Sequence, residues 1–515
     1  MVNGRRSGGG SRIGGALGAA IARSRNAAPA TTPVFSPLRA LGRRQLTQVD
    51  LIGQSLSTVA PATGMIFIAW WITSAEPGVA GVAAIIGTTA VVVAVAFCIT
   101  QFTRRLAAAG SLYSFAFHGL PRRATLTMGA ALLLGYLGIS ISVVANSAVS
   151  LLGIGTALGM PSAGTIPLLV TAAMVACAVT VIAVRGVRFA TRAILVVELC
   201  SLVLICSLMI ADSGTPITPV SPGASGTLPF LALIVVFGMA GFESAAFFGA
   251  EARRPLITVT RAVLITPIVC GAVFVFAGWA ALTGNADAVV AAYFDGTDSG
   301  ASTEMVVAVK VGVTFSWLAS ALGCAQAGSR LLLAMGIEGT VPRRLSRVHP
   351  RWRTPYAAVI AFTLASVVGA WTYLLVFVGD SVVFDGFVEV AVVGAYTLLA
   401  VSCLRFLRRI GEDARSTTMI AVGITCVGVG LLGYLALDGV IDGQWGIPCA
   451  VLVVGASGVA WAAVLKRLRP ESLATMGAFD SPETTDLLPG AGELVLDDDG
   501  RPQLVSAQSL PGDRR

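Results

Sequence analysis

The chain has 515 residues, of which 55% are hydrophobic and only 12% charged, with a formal net charge of +8 and a mean hydropathy of +0.83. Soluble globular domains carry about 25% charged residues, so a soluble fold is excluded and a polytopic membrane protein is expected. The basic residues fall singly and in pairs between apolar segments, without interleaved aromatics, which argues against a nucleic-acid partner.

Residues 1–45 are rich in Gly, Ala, Ser and Arg and lack the apolar core of a signal peptide, so a disordered tail is expected there. Twelve apolar stretches follow, beginning near residues 49, 78, 123, 166, 190, 228, 258, 304, 355, 383, 417 and 443. Each is long enough to cross a hydrocarbon layer of ~30 Å as a helix rising ~1.5 Å per residue. Arginines cluster after the second (Arg104, Arg105, Arg122, Arg123), fourth (Arg185, Arg188, Arg192), sixth (Arg253, Arg254, Arg261), eighth (Arg343, Arg344, Arg347) and tenth (Arg405, Arg408, Arg409). The alternate loops have no Lys or Arg and carry Asp212, Asp295, Asp298 and Asp380 instead. The positive-inside rule then predicts a multi-pass plasma-membrane protein with both termini in the cytoplasm. Residues 46–469 form the expected membrane domain, and the polar segment 470–515 a second disordered cytoplasmic tail.

The first span, "DLIGQSLSTVAPATGMIFIAWWI", has Pro61 near its middle, where proline removes a helix hydrogen bond. The sixth, in "FGMAGFESAAFFGAEARRP", has Gly238 and Gly241 near its middle, where the backbone is free to unwind. An offset of five means that the two spans cross in opposite directions, as an inverted repeat requires. Short helices are expected in corresponding loops, inside at "LAAAGSLYSFAFHGL" and on the outer surface at "ADAVVAAYF". The predicted fold is therefore all-α with twelve transmembrane helices. Five-helix inverted repeats cover about 49–211 and 228–407, and two further helices about 417–465.

Unwound backbone at mid-membrane is tolerated only where protein buries it or a polar cavity meets it, so the two breaks mark a candidate site. Half-helix ends present N–H groups to a carboxylate and carbonyls to an ammonium, which suits a small zwitterion such as an amino acid. Two carboxylates lie within spans at a cost of ~2.5–3.5 kcal/mol each. Glu198 either exchanges a proton as access alternates or hydrogen-bonds a neighbouring helix; Glu243 either does the same or holds the unwound segment together. Glu251 is expected to pair with Arg253 and Arg254, Lys310 to snorkel, Glu389 to face the outer vestibule, and Tyr136 and Trp279 to act as packing or interface aromatics.

"GFESAAFFGAEARRP" and "AGSRLLLAMGIEGTVPRRLSRVHPRWRTPYAA" (327–358) resemble the amino acid–polyamine–organocation permeases. That resemblance covers about residues 45–465 and implies the five-plus-five inverted-repeat fold of the leucine-transporter type. It implies that Phe237 caps the substrate as a gate, and that the carbonyls of Phe237 and Ala240 receive its ammonium, beside Gly238 and Gly241. It also places Ala60, Pro61, Ala62, Thr63 and Gly64 at the substrate. The family's glycine-rich signature in the first span is replaced here by "APATGMIF", and Glu198 lies where many proton-coupled relatives carry lysine.

The expected function is secondary transport of a small or neutral amino acid, with protons as the candidate coupling ion, no cofactor and no metal. A polyamine or other organic-amine permease or exchanger is the alternative within the fold, and a channel the alternative of another class. An enzyme is disfavoured because the only histidines, His118 and His349, lie in loops without a catalytic or metal-binding constellation.

Overall fold

A computed structural model describes residues 41, 45–75, 77–106, 111–211, 228–376, 381–477, 492–496 and 502–506. Twelve spans cross the bundle: Gln48–Ala75, Val79–Thr103, Arg122–Ala157, Thr165–Arg185, Val187–Ala211, Leu228–Phe248, Pro255–Leu282, Thr303–Glu338, Tyr356–Val376, Val382–Ile410, Arg415–Ile441 and Gly446–Leu468. Their starts fall within a few residues of the sequence expectation, because each lies where polar residues or proline interrupt an apolar run. The fold is the five-plus-five inverted repeat with two appended helices.

Burial sorts the spans. In span one 78% of the most apolar window is buried, and in span six 72%, against 22% and 28% in spans eleven and twelve. The two spans with mid-helix breakers therefore occupy the centre, and the appended pair lies against spans three and ten at the periphery. Span eight packs along spans three and five, and span seven along span two and both halves of span one.

Span one starts at a capping box. Thr47 Oγ1 accepts from Asp50 N, and Thr47 N donates to Asp50 Oδ2 at 2.9 Å. The helix runs Gln48–Val59 and stops because Pro61 offers no N–H and disfavours the right-handed region for the residue before it. Ala60 takes φ 55° and ψ 58°, a left-handed conformation costing roughly 1–2 kcal/mol for a residue with a Cβ, and a second helix covers Pro61–Ala75. Span six is α-helical over Leu228–Gly238, turns through Gly241 at φ 98°, and continues as a 3-10 helix over Phe242–Phe248.

The loop helices form at Ser111–Gly119 and Asp287–Phe294. Neither is a surface helix as expected: residues 112–116 of the first are buried against spans three and ten, and residues 288–292 of the second are buried because its alanines and valines pack against span eight and the second half of span one. The proposed N-terminal tail lies outside the described residues except Leu41 and Gln45. In the C-terminal segment, where disorder was expected, Pro470–Thr475 is a helix started by Pro470 at its first turn. It is anchored by Gly477 N donating to Glu338 Oε1 at 3.1 Å, with Ser472 buried near Gly339. Strands β1 (Gly492–Leu496) and β2 (Pro502–Ser506) pair antiparallel, Gly492 opposite Ser506. Disorder is the expectation for this segment, and these two strands depart from it.

Candidate functional site

The two breaks lie against each other at the centre of the bundle. A Cβ on Gly241 would stand 2.5 Å from Thr58 Cγ2, so glycine is needed there for close approach as well as for φ. Serines stitch the first half of span one to the 3-10 segment: Thr58 Oγ1 and Ser244 Oγ are 3.1 Å apart, and Ala245 N donates to Ser55 Oγ at 2.9 Å. From span eight, Ser320 Oγ donates to the Thr58 carbonyl at 2.8 Å, and the Gly323 carbonyl accepts from Gln54 Nε2 at 3.0 Å. On the other side of the breaks the Phe274 ring of span seven lies beside Gly64 and Gly238. Of the nine residues expected at the substrate, Ala60–Gly64 with Phe237, Gly238, Ala240 and Gly241, Gly241 lies against Thr58 and Gly64 and Gly238 flank the Phe274 ring; Gly64, Phe237 and Gly238 are partly exposed and the others buried.

Both intramembrane carboxylates converge on these breaks. Glu198 Oε1, from span five, accepts from Ala62 N at 3.2 Å and from Ser316 Oγ at 3.1 Å, while Oε2 has no partner and the residue is wholly buried. Its carboxyl group therefore sits on the N-terminal end of the second half of span one, where the helix dipole favours negative charge. Glu243 folds back on its own break. Its Oε2 accepts from Gly241 N at 3.2 Å and from Tyr396 Oη at 2.9 Å, and its Oε1 from Tyr136 Oη at 2.8 Å. This geometry matches the backbone-holding alternative for Glu243. Tyr136 packs edge-on against Phe247 at 5.3 Å, as expected of a packing aromatic, and in addition donates the hydrogen bond to Glu243. A small cavity borders this cluster, lined in part by Leu132, Gly135, Ala240 and Val392.

Both approaches to the breaks are covered. At the end opposite the arginines, Phe67 and Trp70 of span one pack with Tyr293 and Phe294 of the short helix and, through Phe67, with Trp317 of span eight, at centroid separations of 5.3–6.1 Å. Lys310 is half-buried, and its Nζ donates to the Tyr293 carbonyl at 3.1 Å, which ties the short helix to span eight. At the arginine-rich end, Glu251 pairs not with Arg253 or Arg254 but with Arg330 of span eight, at 2.7 Å. The correction is physical: Arg253 and Arg254 are exposed, whereas Glu251 is buried and takes the one guanidinium buried beside it. Glu389 is half-buried on span ten, one turn from Asp385.

The Phe237 carbonyl, expected to receive an ammonium, already accepts from Ala240 N at 2.9 Å, whereas the Ala240 carbonyl accepts no hydrogen bond among the described residues. Sequence reading missed Phe274, Ser55, Ser244 and Tyr396. The serines leave a faint signal, "SLST" opposite a break, but Phe274 is one of several aromatics in its apolar run and Tyr396 a single one in another, and nothing in their surroundings marks them.

The requirement at Gly241 is testable. Gly241→Ala combines a left-handed φ with the clash against Thr58 and is expected to cost about 1–3 kcal/mol of stability and most of the uptake. Gly238→Ala meets only ordinary contact at 3.4 Å from Phe274 and is expected to be tolerated. Thermal unfolding of the two variants in detergent compares them directly; equal behaviour would mean that the break does not depend on Gly241.

Comparison with known proteins agrees with this architecture. Residues 46–457 match the family model described as amino acid permease. The branched-chain amino acid permease BcaP of Bacillus subtilis is 24% identical over 52% of this chain and 63% of its own length, so the match spans somewhat less than two thirds of that relative. The methylthioribose transporter of the same organism is 26% identical over 61% of this chain and 71% of its own. The low-affinity putrescine importer PlaP of Escherichia coli is 28% identical over 28% of this chain and 33% of its own. With the family model covering most of the sequence and the broken spans in place, the chain belongs to the amino acid permease family of the amino acid–polyamine–organocation superfamily.

Proposed function

We propose that this protein is a secondary transporter that carries a small ammonium-bearing organic solute, an amino acid or an amine, across the plasma membrane by alternating access. The observation that carries the reading is the pair of oppositely directed broken spans whose main-chain ends face each other in the bundle centre. In this reading the aromatic cover and the Glu251–Arg330 clasp open in turn, Phe237 closes over the solute, and the arginine-rich loops with both termini lie in the cytoplasm. The named relatives carry chemically different cargo, which supports the transport class more than any one solute.

Glu198 is the proposed coupling group. It is wholly buried, one of its oxygens is unpartnered, and it touches a mobile element of the cycle through Ala62 N. Loss or gain of its proton changes how strongly it holds that half-helix. Reconstituted Glu198→Gln is expected to retain saturable uptake but to lose at least tenfold of the stimulation by an inward proton gradient. An unchanged gradient response would remove Glu198 from coupling, and non-saturable conductance in the parent protein would overturn the transporter reading.

A further inference from the structure

The arginine-rich end has a second fastening, about two turns beyond Arg330 on span eight. Glu338, the last residue of that span, is buried and joins two distant parts of the chain. Its Oε2 accepts from Tyr113 Oη of the loop helix Ser111–Gly119, and its Oε1 accepts from Gly477 N, nine residues past the end of span twelve, at 3.1 Å.

The segment that ends at Gly477 is docked along its length. Arg469 Nη1 donates to the Val341 carbonyl at 3.3 Å, Ser472 and Met476 are buried four residues apart, and Glu471 is exposed. Such spacing gives the segment one inward face. Ser472 Oγ would stand 2.7 Å from a Cβ on Gly339, and Gly477, at φ 76°, is so close to the Phe117 ring that a Cβ there would come within 2.2 Å of it.

The anchors belong to different bodies. Glu338, Gly339 and Val341 end span eight, whereas Phe117 belongs to the loop helix, which touches the 3-10 half of span six. If the arginine-rich end opens by parting the broken spans from span eight, the loop helix is displaced relative to Glu338 and the docked segment loses one of its two footings. A contact present in one state and lost in the other favours the state that has it.

Resting on the transport reading above, we infer that residues 470–477 are an autoinhibitory strap that holds the arginine-rich end closed while docked and lets it open when released. Its anchors are not residues of the breaks, so release changes how often this end opens rather than which solute is bound.

Gly477→Val tests this in the full chain, because its side chain collides with Phe117 and strains a left-handed φ. It is compared with the parent and with two shortened chains, one ending at Arg469, which lacks the strap, and one ending at Asp480, which keeps it. Hydrogen–deuterium exchange read by mass spectrometry needs no solute. Gln48–Val59 and Phe242–Phe248 are expected to exchange about fivefold faster in Gly477→Val and in the chain ending at Arg469, with span nine unchanged. The chain ending at Asp480 should match the parent. Saturating uptake of radiolabelled leucine or putrescine into proteoliposomes should rise about threefold in the two released forms, with the half-saturating concentration little altered. Unchanged exchange at both segments without the strap overturns the inference, as does acceleration spread evenly over all spans, the mark of a structural prop. Faster exchange with lower uptake overturns it too, since the cycle would then need the segment in place. Uptake of neither solute by any form counts against the transport reading, and exchange alone then decides the strap.

Discussion

Glu243→Ala is expected to abolish uptake and to destabilise the folded protein by about 3–5 kcal/mol, because it strips three donors of one acceptor in a buried site. Gly241 N, Tyr136 Oη and Tyr396 Oη all terminate on this carboxylate, and they belong to spans six, three and ten. The side chain therefore holds the unwound turn to two helices that do not break. Without it the Gly241 N–H is left buried and unpaired, and both hydroxyls lose their acceptor. Tyr136→Phe and Tyr396→Phe each remove one donor together with its demand and should cost about 1–2 kcal/mol apiece. Glu243→Gln retains an acceptor oxygen and should fall between. Thermal unfolding in detergent alongside uptake in proteoliposomes measures the series. Wild-type stability and uptake in Glu243→Ala would end the clamp assignment, whereas a Glu243→Gln variant that transports but ignores the proton gradient would give the coupling role to Glu243 instead of Glu198.

That cluster shows where sequence reading succeeds and stops. Pro61 and the Gly238/Gly241 pair are legible as breakers because their effect is local: one lacks a donor and the others lack a Cβ. Twelve spans are legible because the membrane fixes their length, and the inverted arrangement because an odd offset reverses direction. Partners are another matter. Glu243 is separated from Tyr136 by 107 positions and from Tyr396 by 153, and both tyrosines look like ordinary interfacial aromatics until the helices are packed. Glu251 misled for a related reason. Two arginines lie next to it in the chain, yet a 3-10 segment ending at Phe248 turns it inward and leaves Arg253 and Arg254 outside. Neighbours in sequence are neighbours in space along a helix, but not where one ends.

The pair that Glu251 does make supplies the second large effect. Arg330→Met is expected to cost about 3–5 kcal/mol, since it leaves a carboxylate buried without its cation. Arg330 Nε and Nη2 reach the two oxygens of Glu251 at 2.7 and 3.2 Å, Nη1 donates to the Gln326 carbonyl, and the guanidinium lies 3.9 Å from the Phe248 ring centroid. The clasp is extended by main chain: Gln45 N and Leu46 N donate to the Glu251 carbonyl, and Arg253 N donates to the Leu46 carbonyl. The segment before span one and the segment after span six are thereby fastened together, and span eight is fastened to both. Glu251→Gln should cost a similar amount by stranding Arg330. The double variant Glu251→Leu with Arg330→Met removes both charges and is expected to recover to within about 1 kcal/mol of the parent, because paired desolvation roughly cancels paired attraction. If the two losses simply add, the ion pair contributes no coupling and the main-chain bridge alone closes this end. If the double variant recovers its stability, its uptake becomes informative: a clasp that must part in every cycle should, once removed without strain, leave uptake intact or faster. Uptake that falls although stability is recovered would make the pair a fixed strut instead, and the opening at this end would have to occur elsewhere.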